Sequence, residues 1–348
     1  MHQALAPYRL RAQRLVGSPL PDPAAVVQHL GAVQSQEHLM APWGVGRRCG
    51  ATAQEVADGL WPGVVRTHAL RTTWHYVHRD DLPLVVAATG DRVLAQVVPH
   101  VRRQGLDEAR LLAAGDVVEA AVRAEPGCDR ARIAEVLRDA GHELSGDLLA
   151  HAVMVPELRG AIGGHRHGGE RHRYHPLDLP PGPEPRQARA ELARRYAVGH
   201  GPVSDRDLAW WSSLTLTQAR EALDDADLRP VTLAGRALWA ADAPEPAPVP
   251  SALLLANFDE AISHHRDPDL RAEVGPAFAT LMVGTGLLLL DGRLAGQWNR
   301  TTGPERVEVR VTAVTSLTPR HRRAIEAEAE AFGAFLGRAA DPVVAEAV

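Results

Sequence analysis

Val26, Val27, Leu30 and Val33 are apolar at intervals of three and four residues, the period of one face of an α-helix. Asp22 before Pro23 supplies a capping carboxylate and a proline in the first turn, so a helix is expected to open there. A second helix is expected through "HLMAPWGVGRR", shortened at Pro42, and a third through "TAQEVADGL". Pro62–Gly63 ends the helical pattern, and "VVRTHAL" and "TWHYVH" follow as short strands rich in Val, Thr and aromatic residues. In such a hairpin His75 and Thr73 share one face, Trp74 and Tyr76 the other. Three helices and a hairpin make a winged helix-turn-helix unit.

The same order recurs twice, in architecture rather than in residues. "CDRARIAEVLRDAGHELSGDLLAHAVMVPELRGAI" predicts helices broken at "AGHELSG", with a hairpin turn after them at Gly168–Gly169. A proline-rich linker, "DLPPGPEPRQ", precedes a third unit, whose helix is capped by Ser204 or Asp205 and whose strands lie in "LRPVTLAGRALWA". After "DAPEPAPVPS" the pattern turns mainly to strand, followed by an amphipathic helix opening after Thr318–Pro319; the last ten residues are expected to fray. The expected fold class is α+β, mainly helical. Its expected units are a first winged helix with scaffold helices at 1–115, a second at 116–182, a third at 183–245, and a β-rich C-terminal region with a terminal helix at 246–348.

A chain of 348 residues can hold two or three cores. No apolar run of membrane-spanning length stands out, since "LMVGTGLLLLDG" is short and broken, and the N-terminus lacks the apolar stretch of a signal peptide. Two cysteines allow one disulfide and no disulfide framework. The expectation is a cytoplasmic monomer with no membrane partner. A net charge of −5 argues against indiscriminate nucleic-acid binding, although a basic face can coexist with an acidic remainder. All 38 basic residues are arginine, a bias that a GC-rich genome would produce. Arginine nevertheless offers phosphates bidentate bonds that lysine cannot match.

Gln34 and Gln36 stand two residues apart where the first helical stripe ends. On a helix they would diverge by about 200°; on extended backbone they face one way. Paired amides can orient water near a phosphate without adding charge, and they serve equally to satisfy loop backbone. His75 is a candidate for contacting phosphate or sugar, or for packing in a half-buried sheet. "HRHGGERHRYH" carries Arg166, Arg171 and Arg173 among four histidines. It reads as a phosphate-contacting wing or a solvated loop; with no cysteine and no helical H-E-x-x-H, a metal site is the weakest reading. Trp298, in "GQWNRTTGPERVEVR" with Arg300, is either a stacking wedge or a packed hairpin residue. Asp259 and Glu260, with His264 and His265, resemble an acid/base or metal cluster but are better read as a strand end and capped loop. No P-loop, dinucleotide fingerprint or nucleophile elbow is present, and no cofactor is expected.

Six segments in order, "YRLRAQRL", "LGAVQSQ", "LRTTWHYVHRDDL", "GPVSDRDLAWWSSLTLTQAREAL", "LLLANFDEAISHHRD" and "LLLDGRLAGQWNR", resemble the AlkZ/YcaQ-type tandem winged-helix DNA glycosylases over most of the chain. That resemblance implies three tandem winged helix-turn-helix units in a C-shape plus a small C-terminal β-barrel or sheet. It also implies excision of alkylated purines from double-stranded DNA, including bulky adducts left by genotoxic natural products. The family's catalytic motif, Gln-x-Gln or Gln-x-Asp, falls here on Gln34, Ser35 and Gln36, the Gln-x-Gln form of the AlkZ branch. Ser35 is polar where the family tends to be apolar, and Thr72 and Trp74 also depart from the usual pattern. Both departures bear on the choice of lesion. Gln36 is the candidate for orienting water and Gln34 for supporting it or the sugar; His75, Arg71, Arg166, Arg171, Arg173, Trp298 and Arg300 are the candidate DNA contacts. The rival readings are a non-catalytic DNA-binding regulator and, more weakly, a metal-dependent hydrolase.

Overall fold

The computed structural model describes residues 4–165, 171–262, 270 and 284–347. After α1 (Ala6–Ala12), the Asp22 carboxylate accepts the Ala25 N–H and opens α2 (Pro23–Leu30). Gly31 stops this helix at a φ of 74°, where a side chain would be strained. Val33 therefore does not extend the helical stripe; it begins a two-residue strand, β1 (Val33–Gln34). Next come α3 (Ala41–Cys49) and α4 (Ala53–Leu60), the latter opened by a capping box between Thr52 and Glu55. The expected hairpin follows as β2 (Val64–Ala69) and β3 (Thr73–His78).

Three helices come next: α5 (Leu82–Arg103), α6 (Glu108–Ala124) and α7 (Arg130–Asp139). α6 runs straight through the position expected to divide the first unit from the second. α5 is long and apolar enough to cross a membrane by length and composition, yet half of its most apolar stretch is buried, and it packs on α8 (Gly146–Leu158) and α9 (Pro185–His200). Between those two helices lie β4 (Ile162–His165) and β5 (Arg173–Pro176). These strands do not form a separate wing. They join the first hairpin in one antiparallel sheet of order β1-β3-β2-β4-β5. Ser204 caps α10 (Asp205–Ser212) and Thr215 caps α11 (Leu216–Asp225), after which β6 (Arg229–Leu233) and β7 (Arg236–Ala240) form a two-stranded ribbon.

The C-terminal region is a five-stranded sheet. It contains β8 (Ala252–Leu255), β9 (Gly286–Leu290), β10 (Arg293–Thr302), β11 (Arg306–Ala313) and β12 (Ala339–Glu346), ordered β12-β11-β10-β9-β8. A short 3-10 turn, Glu260–Ile262, follows β8, and α12 (Pro319–Phe335) precedes β12. The C-terminal end, expected to fray, is instead ordered from Ala339 to Glu346, where β12 pairs in parallel with β11. Cys49 and Cys128 are free thiols.

Two apolar clusters meet at the first sheet. One packs α2, α3 and α4 with α12 and the inner face of the C-terminal sheet, and reaches Val33, Val64 and Tyr76. The other packs α5, α9, α10 and α11 against Val65 and Val77, on the opposite face. Residues alternate between these faces along β2 and β3, which places Gln34 and His75 on the side of α9 and α10.

Candidate active site

Among the described residues β1 is an edge strand. Its register sets Gln34 opposite His75. Ser35 N–H donates to the Trp74 carbonyl at 2.8 Å, which makes Ser35–Trp74 the hydrogen-bonded position and Gln34–His75 the alternate one, where facing side chains come closest. The Ser35 carbonyl is taken by Arg66, whose Nη2 lies 3.0 Å away and whose guanidinium covers the Trp74 ring at 4.2 Å. The Trp74 N–H turns to the Gln36 side chain, donating to Oε1 at 3.3 Å. Gln36 is thus exposed but oriented by the sheet edge. Gln34 is half-buried, and its Oε1 is sealed from solvent with no hydrogen-bond donor among the described residues.

His75 is fully buried and both ring nitrogens are used: Nδ1–H donates to the Thr73 carbonyl at 2.9 Å, and Nε2 accepts from Arg71 Nη2 at 3.1 Å. Guanidinium is always a donor, so this assigns the neutral Nδ1–H tautomer. Burial, reinforced by the Arg71 charge, pushes the imidazole pKa down to about 3. Arg71 is itself turned inward, its Nη1 donating to the Trp211 carbonyl at 2.7 Å.

Beneath Gln34 lies Glu260, 1% exposed. Its Oε1 accepts the Gln34 backbone N–H at 2.9 Å; its Oε2 accepts Trp211 Nε1–H at 2.9 Å and His200 Nε2–H at 3.3 Å. Burial works against the charge, but the His200 hydrogen bond, the Arg71 guanidinium and the Gln34 N–H outweigh it and hold the carboxyl at about 2. The neighbouring Asp259 is locked in a bidentate pair with Arg48, at 2.7 and 3.0 Å, and Arg48 also grips Gln13. The turn carrying Glu260 is therefore fixed from two sides.

A family model described as "DNA glycosylase AlkZ-like" matches residues 27–335. The chain belongs to the AlkZ-like DNA glycosylase family. Among solved structures, the Streptomyces sahachiroi DNA glycosylase AlkZ has the same fold, with a TM-score of 0.78 at 19% identity and full coverage of both chains. None of the curated proteins matches the chain in sequence. As a member of this family the protein is a DNA glycosylase, a hydrolase of N-glycosyl bonds whose substrate is DNA.

Three expected DNA contacts of this glycosylase are corrected by their surroundings. His75 has no exposed surface and no free ring nitrogen with which to reach a phosphate. Arg71 spends its guanidinium on Trp211 and His75. Trp298 is 1% exposed and donates Nε1–H to the Leu255 carbonyl at 2.8 Å, so it is a core residue and no wedge. Gly286 makes room for it, since a Cβ there would collide with the indole. Arg300 is half-buried against Met40, in the turn that follows Gln36. Arg171 and Arg173 are exposed on the β4–β5 hairpin, Arg171 paired with Asp129 at 2.9 Å and Arg173 bonded to the Gly127 carbonyl at 3.3 Å. Arg166, His264 and His265 lie outside the described residues. Among the described residues no three His, Cys, Asp or Glu side chains converge as metal ligands. Glu260 is the site residue that the sequence reading set aside. At the end of a strand it looks like a loop cap, and its partners lie 49 to 226 residues away in the chain.

Proposed function

We propose that this glycosylase is monofunctional and excises alkylated purines, with bulky N7-alkylguanine adducts of genotoxic natural products as its substrates. Repair of such adducts, including self-resistance in a producing cell, is the role that fits. N7 alkylation makes the base cationic, so the N9–C1′ bond can break with its electron pair passing to the base and no proton supplied by the enzyme. Water adds its oxygen to C1′ and releases a proton to solvent. The enzyme's task is to place that water and to favour the oxocarbenium-like sugar, as in other glycoside hydrolyses.

The observation that carries this reading is the amide pair itself. The Gln34 oxygen is sheltered and takes no hydrogen bond among the described residues, while Gln36 stands exposed two residues on, held by the Trp74 N–H. Gln36, the exposed amide, orients the water, and Gln34 supports that water or the sugar once bound DNA uncovers its sheltered oxygen; both act by position more than by basicity. Arg171 and Arg173, with Arg166 beside them in sequence, contact phosphates. The chain contains no lysine, which removes the usual Schiff-base nucleophile for strand cleavage.

The test is incubation with duplex carrying N7-methylguanine or a bulky N7 adduct, followed by heating in alkali to cut abasic sites. Product is expected only after alkali. Gln34→Ala and Gln36→Ala are each expected to slow single-turnover excision by about 100-fold while melting within a few degrees of wild type. Binding without abasic product would return the regulator reading, and an unchanged rate in either variant would remove that amide from the mechanism.

A further inference from the structure

Glu260 is a buried charge whose location is not explained by fold stability alone. Taking a carboxylate out of water is costly unless its lone pairs are filled, and here they are filled from β1, α9 and α10. The donor from β1 is the informative one. At a non-hydrogen-bonded ladder position the Gln34 N–H points away from β3, and among the described residues no strand lies beyond β1. In most proteins water would take such an N–H; here a fixed carboxylate oxygen does, at 2.9 Å.

One further route runs from the same carboxylate to the residue that faces Gln34. Trp211 donates its indole N–H to Glu260 and lends its carbonyl to Arg71, which in turn holds His75 directly across from Gln34. The strand that carries Gln34 is thus held at its outer edge by Glu260, and the tryptophan that donates to this carboxylate also anchors, through its main-chain carbonyl and Arg71, the His75 ring that faces Gln34. A two-residue strand has little register of its own, so these contacts decide where the Gln34 amide sits.

We propose that Glu260 is a positioning residue for excision: its carboxylate clamps the Gln34 main chain, and through it the Gln34 amide, in the arrangement that the excision step uses. This rests on the reading of Gln34 as part of the excision machinery.

Single-turnover excision of N7-methylguanine, measured across protein concentrations, separates the maximal rate from half-saturation. In Glu260→Gln an acceptor oxygen remains for the Gln34 N–H but the charge is gone; the maximal rate is expected to fall about 10-fold, and about 100-fold in Glu260→Ala, with half-saturation changed by less than about threefold. In a Gln34→Ala background, Glu260→Gln is expected to have little further effect, because it acts through Gln34. An undiminished maximal rate in Glu260→Gln, a loss confined to half-saturation, or fully additive losses in the double variant would overturn the proposal. Should Glu260→Gln fail to fold, Trp211→Phe removes one donor to the carboxylate and is read by the same cycle: non-additivity with Gln34→Ala supports the clamp and additivity overturns it. A wild-type protein that releases no base sinks the functional reading and this inference with it, whereas an active wild type with an equally active Glu260→Gln sinks this inference alone.

Discussion

Gln34 and His75 face each other across the β1–β3 ladder at a position where their side chains, not their backbones, come together. His75 is neutral there, with one nitrogen on the Thr73 carbonyl and the other receiving Arg71. A histidine opposite a candidate catalytic amide invites a role as base or phosphate contact. Its hydrogen bonds leave it neither. It acts as a wall that also keeps Arg71 turned into the protein.

Arg71 and Arg171 should therefore separate in experiment. Arg71→Ala leaves the Trp211 carbonyl and the His75 Nε2 without their donor, and the expected cost is about 3 kcal/mol of stability in urea denaturation. The salt dependence of DNA binding should stay as in wild type. Arg171→Ala breaks only an exposed pair with Asp129, with little effect on stability. If Arg171 neutralises a phosphate, the slope of log affinity against log salt should shrink by about one. The opposite pattern would exchange the two roles.

Ser35 lies between the two glutamines, fully buried, and its hydroxyl takes no partner among the described residues. An unsatisfied buried hydroxyl costs about 1–3 kcal/mol, and alanine fits the same space. Ser35→Ala is expected to raise stability by about 1 kcal/mol in chemical denaturation and to leave excision of N7-methylguanine unchanged. A loss of excision would show that the hydroxyl meets the DNA.

The parts of this fold that were legible in sequence are those whose signals are local. Asp22, Thr52, Ser204 and Thr318 announce helix starts, and each accepts the expected backbone N–H. The alternation in "VVRTHAL" and "TWHYVH" gives the β2–β3 hairpin and the faces of its residues. What was not legible depends on partners far along the chain. "AADPVVAE" carries a proline and no hairpin mate, so nothing local reveals its parallel pairing with β11. Gly163 and Gly164 let β4 lie against β2, since a Cβ on Gly163 would strike Val65; that merges two expected wings into one sheet. Glu260 and Gln34 are 226 residues apart, and neither residue's neighbours point to the other.

Stability should fall as the solution is acidified well before the carboxylates titrate. An unfolded histidine takes up a proton near pH 6.5, whereas folded His75 refuses one until about 3. Its contribution is complete above pH 6.5 and is lost progressively as pH drops toward 3, amounting to about 2 kcal/mol by pH 5. Buried His200 and half-buried His29, also lowered by burial, act in the same direction. Urea midpoints at pH 7.5 and 5.0 should show this fall, and His75→Asn should show less of it. A stability equal at the two pH values would mean that His75 carries a proton in the fold.

The pH dependence of the excision step itself gives a sharper test of mechanism. The amides of Gln34 and Gln36 do not titrate, and the ionisable groups nearest Gln34 change state only at extremes, Glu260 near 2 and His75 near 3. A cationic leaving base needs no general acid, so nothing in this arrangement should switch on or off near neutrality. The maximal single-turnover rate on N7-methylguanine is expected to vary by less than about threefold between pH 6 and 8.5. A general base would instead give an acid limb. Glu37 is the carboxylate next to Gln36 in sequence and near Arg300 in space. An acid limb that disappears in Glu37→Gln would transfer activation of the water from the paired amides to that residue.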